Sequence, residues 1–336
     1  MSWTLYCNKC GFRGGGGVYY PWCPRCGGPL EVSGSLPSYP RILGEGSTPL
    51  VFDSILGNII GFKLDYLNPS GSFKDRGVSY SLQFARDLGY KCVVVDSSGN
   101  TAISTALYSS KLGLNSIVIV PSTAHPSKIS LMEALGSRVI VAESRSEASK
   151  LAITYSTKCY HVSHLTSPIF IEGVKSIGRE LVEFSKELIV ILPVSSGSLL
   201  VGLYRGYIES GGKPRIIAVQ ASEASSLEKY IEPTVSIGGD SSKLADALVV
   251  KTPPRLEEMA KIVKETNGAL VKVGDKAIKE ALGEILKLGF IVEPSSAVVW
   301  AAYKALVDKL RGKDIVLILT GSGLKYSGEL RRIAEN

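Results

Sequence analysis

The 336-residue sequence lacks any apolar run near the ~18 residues that a membrane-spanning helix needs. Its most apolar stretches, such as residues 188–194, stop far short. The start, MSWTLYCNKCG, has no basic region leading into an apolar core, so a secretory leader is not expected and a cytoplasmic protein is. There is no Lys/Arg block and no basic stripe interleaved with aromatics, which sets aside nucleic acid and membrane as partners. No GxGxxG follows an early strand, against a nicotinamide dehydrogenase, and no internal repeat or low-complexity tract is visible. What is there is ordinary globular composition: 45% hydrophobic and 21% charged residues exclude wholesale disorder. The length suggests about two domains. A net charge of +7, from 38 basic against 31 acidic residues, suits a small phosphorylated or carboxylated substrate.

Four of the six cysteines fall at Cys7, Cys10, Cys23 and Cys26, two Cys-x-x-Cys pairs separated by twelve residues. Each pair can turn a knuckle that aims two thiolates at one point, and two knuckles make a tetrahedral zinc site. A small zinc ribbon over residues 1–32 is therefore expected, with a short hairpin at 12–22. Four protein ligands leave no position open for water, so the metal would be structural and would supply folding energy that ~30 residues cannot bury alone. The alternative, a pair of disulfides, is disfavoured in a cytosolic chain. Cys92 and Cys159 begin or precede apolar runs and read as buried thiols, and Pro37 and Pro40 read as a linker.

Beyond the linker, short β-branched runs at 92–96, 116–120, 138–142, 187–194, 215–220 and 314–320 alternate with helix-length segments at 101–112, 127–135, 147–155, 173–185 and 275–288. Such alternation means βαβ units, an α/β fold and two open, mainly parallel sheets. The expected division is a larger domain of 33–90 with 161–336 and a smaller, substrate-side one of 91–160. Ligands of such sheets bind where strands run into helix N-termini. Three junctions are rich in Gly, Ser, Thr and Asn: DSSGNTA (96–102), PVSSGSLL (193–200) and LTGSGLK (319–325). In NPSGSFKDRG (68–77), Lys74 opens a helix. It reads either as a solvent-facing partner of Asp75 or as an amine whose charged form the helix field disfavours, leaving a nucleophile able to condense with an aldehyde. Ser195, Ser196, Gly197 and Ser198 offer backbone amides and hydroxyls for a phosphate, although no lysine follows as in a nucleotide-binding loop. Ser98 and Thr101 could hold a carboxylate and Asn100 a phenolate-type oxygen, or the segment could simply cap its helix.

Together, GEGSTPL (44–50), NPSGSFKDRG, SSGNTA (97–102), PVSSGSLL, LADAL (244–248), VEPSSA (292–297) and LTGSGLK resemble the threonine synthases among pyridoxal-phosphate (PLP) enzymes of fold type II, in the family's order and across nearly the whole chain. The resemblance implies that Lys74 carries the cofactor and that Asn100 meets its phenolic oxygen. Ser195, Ser196, Gly197, Ser198 and Leu199 form the phosphate loop, Thr320 faces the ring nitrogen, and Ser98, Gly99 and Thr101 bind the substrate carboxylate. A threonine hydroxyl cannot keep a proton on that nitrogen as a carboxylate would, which makes the ring a weaker electron sink. The implied reaction converts O-phosphohomoserine and water to threonine and phosphate, with Lys74 as the base at Cα. A homodimer is the expected assembly. Two departures stand out. Ser196 and Leu199 occupy places usually taken by asparagine, and in HLTSPIFIEG (164–173) Phe170 stands where the family carries a phosphate-gripping arginine. His164, Ser163, Thr166 and Lys128 are candidates to replace that arginine, although His164 alone reads as a loop or capping residue. The alternative reading is therefore a β-elimination or β-replacement enzyme: a serine/threonine dehydratase, or a cysteine or cysteate synthase acting on O-phosphoserine.

Overall fold

Strand and helix alternate through most of the chain, as the hydrophobic runs require. The computed structural model describes residues 3–326 together with Leu330 and Ile333. The first elements are β1 (Trp3–Tyr6), β2 (Glu31–Gly34), β3 (Leu50–Ile55), β4 (Asn58–Lys63) and α1 (Lys74–Asp87). There follow β5 (Cys92–Asp96), α2 (Asn100–Leu112), β6 (Asn115–Pro121), α3 (Pro126–Ala134), β7 (Arg138–Ala142), α4 (Arg145–Tyr155) and β8 (Tyr160–His161). Next come α5 (Pro168–Phe184), β9 (Ile189–Pro193), α6 (Ser198–Glu209), β10 (Arg215–Ala221), β11 (Thr234–Ile237) and α7 (Leu256–Glu265). The series closes with β12 (Ala269–Val273), α8 (Asp275–Lys287), α9 (Pro294–Leu306) and β13 (Ile315–Ile318). No helix among the described residues is long and apolar enough to cross a membrane.

The chain divides into two compact units, Met1–Glu45 with Lys74–Val174 and Gly46–Phe73 with Lys175–Asn336. In the first, β7-β6-β5-β8 form a four-stranded parallel sheet, covered by Ala148 and Ala152 of α4 packed on Val94 and Ile119. The N-terminal four-cysteine module belongs to this unit. Its two strands, β1 and β2, are antiparallel; in place of the expected hairpin at 12–22, the segment lies against β1 through the isolated bridge from Arg13 to Tyr6 and the amides of Gly14 and Gly17, which donate to the Leu5 and Trp3 carbonyls at 2.7 and 3.2 Å. Four glycines at 14–17 leave it without the side chains that favour a regular strand.

A second correction concerns the remaining cysteines. Cys92 and Cys159 are joined in a disulfide, with Cα atoms 4.8 Å apart. Sheet register explains it: β5 and β8 are parallel neighbours with Val93 opposite Tyr160, so the residues one position earlier face each other.

The second unit holds a seven-stranded sheet of order β11-β12-β10-β9-β13-β4-β3, parallel throughout except for the edge hairpin β3–β4. Strands buried on both faces read as continuous apolar runs, as IVIL of β9 and IVLI of β13 do. Ile191, Val219, Val271 and Leu317 pack with Leu282 and Ile285 of α8 and with Val298 and Trp300 of α9 in one core.

Two helix contacts depend on the absence of a Cβ. In the first unit, a Cβ at Gly173 of α5 would lie 2.2 Å from the carbonyl oxygen of Arg76 in α1, and in the second, one at Gly206 of α6 would lie 2.0 Å from that of Lys175. Neither backbone can yield cheaply. Gly173→Ala, which forces α5 off the helix that begins at Lys74, is expected to cost about 3 kcal/mol or more, read as a lower midpoint in urea.

Candidate active site

Lys74 is the first residue of α1 and half-buried. The turn before it is locked to the end of β13. The Phe73 amide donates to the Thr320 carbonyl at 3.0 Å, Ser322 N–H to the Gly71 carbonyl at 2.9 Å, and Tyr66 N–H to Leu319 at 2.9 Å. Gly71 has φ +79°, the left-handed region that suits glycine, and its carbonyl also accepts from Lys325 Nζ at 3.0 Å. Lys325 lies 3.8 Å from the fully buried carboxylate of Glu293. Thr320 donates its own amide to Ser296 Oγ at 2.8 Å. So Lys74 follows directly on a residue held in register with Thr320.

Within the first unit, α1 is fixed from below by buried carboxylates. Asp75 accepts from Ser104 Oγ at 2.6 Å. Glu45 accepts from the amides of Ile42 and Leu43 at 3.0 and 2.9 Å, from Tyr108 at 3.2 Å and from the Ser79 hydroxyl. Burial alone would raise the Glu45 carboxyl. The Ser79 hydroxyl and these amides outweigh it and hold the group below its ordinary value. Phe170, fully buried on α5, lays its ring 5.8 Å from Lys74 Nζ, bedded on Gly77, where a Cβ would come within 2.5 Å. An aromatic edge at this place offers no donor to an anion.

The junction after β5 runs through Ser97, Ser98 and Gly99 into α2, which Asn100 and Thr101 open. Gly99 donates its amide to Ser97 Oγ at 3.3 Å. Thr101 is buried, and its Oγ1 lies 3.4 Å from Nδ1 of His164. His164 lies in the turn at 164–166, as its reading as a loop residue has it, but it is not the cap. Ser163 does the capping, its Oγ accepting from the amides of Leu165 and Thr166, while His164 turns to Thr101. Burial, then the charge of Lys74, then His161 push the His164 imidazole well below its ordinary pKa, so it is neutral at physiological pH. Lys74, Thr101, His164 and Phe170 thus gather in the first unit. Lys128 lies half-buried on α3.

In the second unit, β9 delivers Ser195, Ser196 and Gly197 to the start of α6, where Ser198 and Leu199 follow. Gly197 has φ +92°, and a Cβ on it would strike Met259 Sδ at 2.4 Å. Ser195 Oγ accepts from the Val250 amide at 3.2 Å. The buried hydroxyls of Ser196 and Ser198 lie 3.4 Å apart at the positive end of the helix. Donors of this kind fit a phosphate. One residue that sequence reasoning gave no role is Ser72, fully buried and opposite Gly321, whose hydroxyl has no hydrogen-bond partner among the described residues. A buried hydroxyl left so costs about 1–3 kcal/mol, which suits a place where a ligand supplies the missing partner. Glu293, Ser296 and Lys325 lie in the stretches VEPSSA and LTGSGLK that the sequence singles out, but their part in holding backbone and one another was not legible there.

The sulfurs of Cys7, Cys10, Cys23 and Cys26 all lie within 4.8 Å of one another, with Cys7–Cys26 at 3.6 Å and Cys10–Cys23 at 3.5 Å. A tetrahedron built on ~2.3 Å zinc–sulfur bonds has edges of about 3.8 Å, so the four thiols fit one zinc ion.

Comparison with known proteins agrees with this arrangement. The threonine synthase of Methanosarcina acetivorans is 29% identical over 310 residues, covering 85% of this chain and 76% of the relative. That of Synechocystis sp. is 28% identical over 335 residues, covering 95% and 85%. Threonine deaminase isoform 2 from Solanum lycopersicum superposes with a TM-score of 0.74 at 25% identity, over 86% of this chain and 82% of that one. Maize serine racemase superposes with a TM-score of 0.70 at 24% identity, over 86% and 93%, a likeness of fold alone. The family model of the pyridoxal-phosphate dependent enzymes matches residues 42–321, from the buried Glu45 to the end of the β13 junction, and the chain belongs to that family.

Proposed function

We propose that the protein is a PLP-dependent lyase of the threonine-synthase type, which converts O-phosphohomoserine and water to threonine and phosphate. The observation that carries this reading is the likeness to threonine synthases over 85–95% of the chain. Lys74 holds the coenzyme through its amine. Ser195, Ser196, Gly197, Ser198 and Leu199 bind its phosphate with amides and hydroxyls, Asn100 donates to the phenolic oxygen, and Thr320 meets the ring nitrogen. When bound, the coenzyme withdraws electrons from the substrate's Cα and makes the proton there acidic. Ser98, Gly99 and Thr101 orient the substrate carboxylate. Lys74, released by the substrate amine, takes the Cα proton and returns it. Loss of one Cβ proton expels phosphate from Cγ, Cγ takes up a proton to become the methyl group, and water adds at Cβ. Cys7, Cys10, Cys23 and Cys26 hold a structural zinc ion.

Phe170 favours a second reading. With an aromatic ring beside Lys74 in place of a guanidinium, the site loses the bidentate donor that best rewards a phosphorylated side chain. A serine/threonine dehydratase or a cysteine or cysteate synthase is then the function. Purified holoenzyme incubated with O-phosphohomoserine, O-phosphoserine, serine and threonine, each with and without sulfide or sulfite, separates the two. Phosphate and threonine from O-phosphohomoserine alone support the first reading. Pyruvate, 2-oxobutyrate or a sulfur-containing amino acid supports the second and removes the first.

A further inference from the structure

We infer that residues 161–167 form a strap through which the four-cysteine module positions the substrate end of the proposed site, holding His164 against Thr101. The inference rests on the proposed function for what that site does, but the contacts all lie within the first unit.

On one side the strap is gripped by the module. Thr166 Oγ1 donates to the Pro21 carbonyl at 2.7 Å, and Leu30 N–H to the Thr166 carbonyl at 3.4 Å. Tyr19 O–H donates to the His161 carbonyl at 3.0 Å, while its ring stacks on Tyr160 at 4.2 Å and 20°. The Trp22 ring meets the His161 ring edge-on at 5.5 Å. Pro21 and Trp22 immediately precede Cys23, so the knuckle that shapes the thiol cluster also sets these two contacts.

On its other side the strap faces the chemistry. His161 Nε2 lies 3.1 Å from Oδ1 of Asp96, the last residue of β5 and the start of the junction to α2. His164 meets Thr101, with its ring 6.3 Å from that of Phe170. A bond from Ser163 Oγ to Thr166 Oγ1, 2.8 Å, closes the strap on itself, so a pull at Thr166 is felt two residues away at His164. The polar contacts of Tyr19, Pro21 and Leu30 all fall on this seven-residue segment, which carries both His161 and His164.

The test uses the full-length holoenzyme with zinc bound and compares wild type with Thr166→Val and Tyr19→Phe, neither of which touches the thiols, Lys74 or Thr101. The protein has three histidines, so a 15N-edited imidazole spectrum follows each one through a pH titration. His164 faces Lys74 and His161, and His161 faces Asp96. We expect both variants to keep one zinc per chain and full coenzyme absorbance. Their His164 signal titrates nearer the ordinary range, and KM for the amino-acid substrate rises about tenfold with kcat changed less than threefold. Wild-type histidine titration and KM in both variants overturn the inference and leave the functional reading standing. A wild-type protein that takes up no coenzyme removes that reading instead, while the histidine titration still reports on the strap.

Discussion

Replacing Lys74 with alanine is expected to abolish the coenzyme's absorbance near the visible edge and to lower kcat/KM by ~10³-fold or more, since the substitution removes both the anchoring amine and the base at Cα. The fold gives a reason to expect little else to change. The side chain is only half-buried, and α1 is held by Asp75 and by the glycine contact to α5. Circular dichroism of the variant should overlay that of the wild type. Borohydride reduction of the wild type followed by peptide mapping should place the coenzyme's mass on Lys74. An adduct on any other lysine rules the assignment out, whatever the activity data show.

Breaking the Cys92–Cys159 disulfide should have the largest effect on stability. The two residues are 67 positions apart, and closing a loop of that length removes unfolded-state entropy equivalent to about 4 kcal/mol. For a chain of this size that corresponds to a fall in Tm of roughly 6 °C. Cys92→Ala is the cleaner perturbation, because a reductant also bears on the four thiols of the N-terminal module. A scanning-calorimetry trace with an unchanged midpoint would show that the bond constrains little that the sheet does not constrain already.

The sequence was most informative where local rules act. The β-branched runs at 92–96 and 138–142 coincide with β5 and β7, and the strand-to-helix junctions fall where Gly and Ser cluster. Hydrophobic period and turn chemistry suffice for these. Pairings between distant segments were not legible. The disulfide depends on β8 lying beside β5, and β8 is two residues long, too short to leave a pattern. Ser72, Glu293 and Lys325 fall inside quoted stretches, but their roles were not legible, because Lys325 acts on the Gly71 carbonyl 254 positions away, Glu293 faces Lys325, and Ser72 Oγ meets no partner among the described residues. His164 was visible as a residue but not as a neighbour of Thr101, which needed the parallel order of β5 and β8 to bring the strap alongside α2. The β3–β4 hairpin escaped notice because its edge strand, LVFDSI, is largely exposed and shows no clean alternation.

The clamp between residues 71–73 and 320–325 carries a lesson for anyone exchanging segments with a relative. A graft of the lysine-bearing turn alone would arrive without the carbonyl at 320 that accepts from Phe73 and without the ammonium that donates to the Gly71 carbonyl. A graft of the far segment alone would carry Lys325 and Ser322 in without the Gly71 backbone that they bind. The two pieces, remote along the polypeptide, form a single transferable part, and chimeras should fail or succeed according to whether both halves come from the same parent.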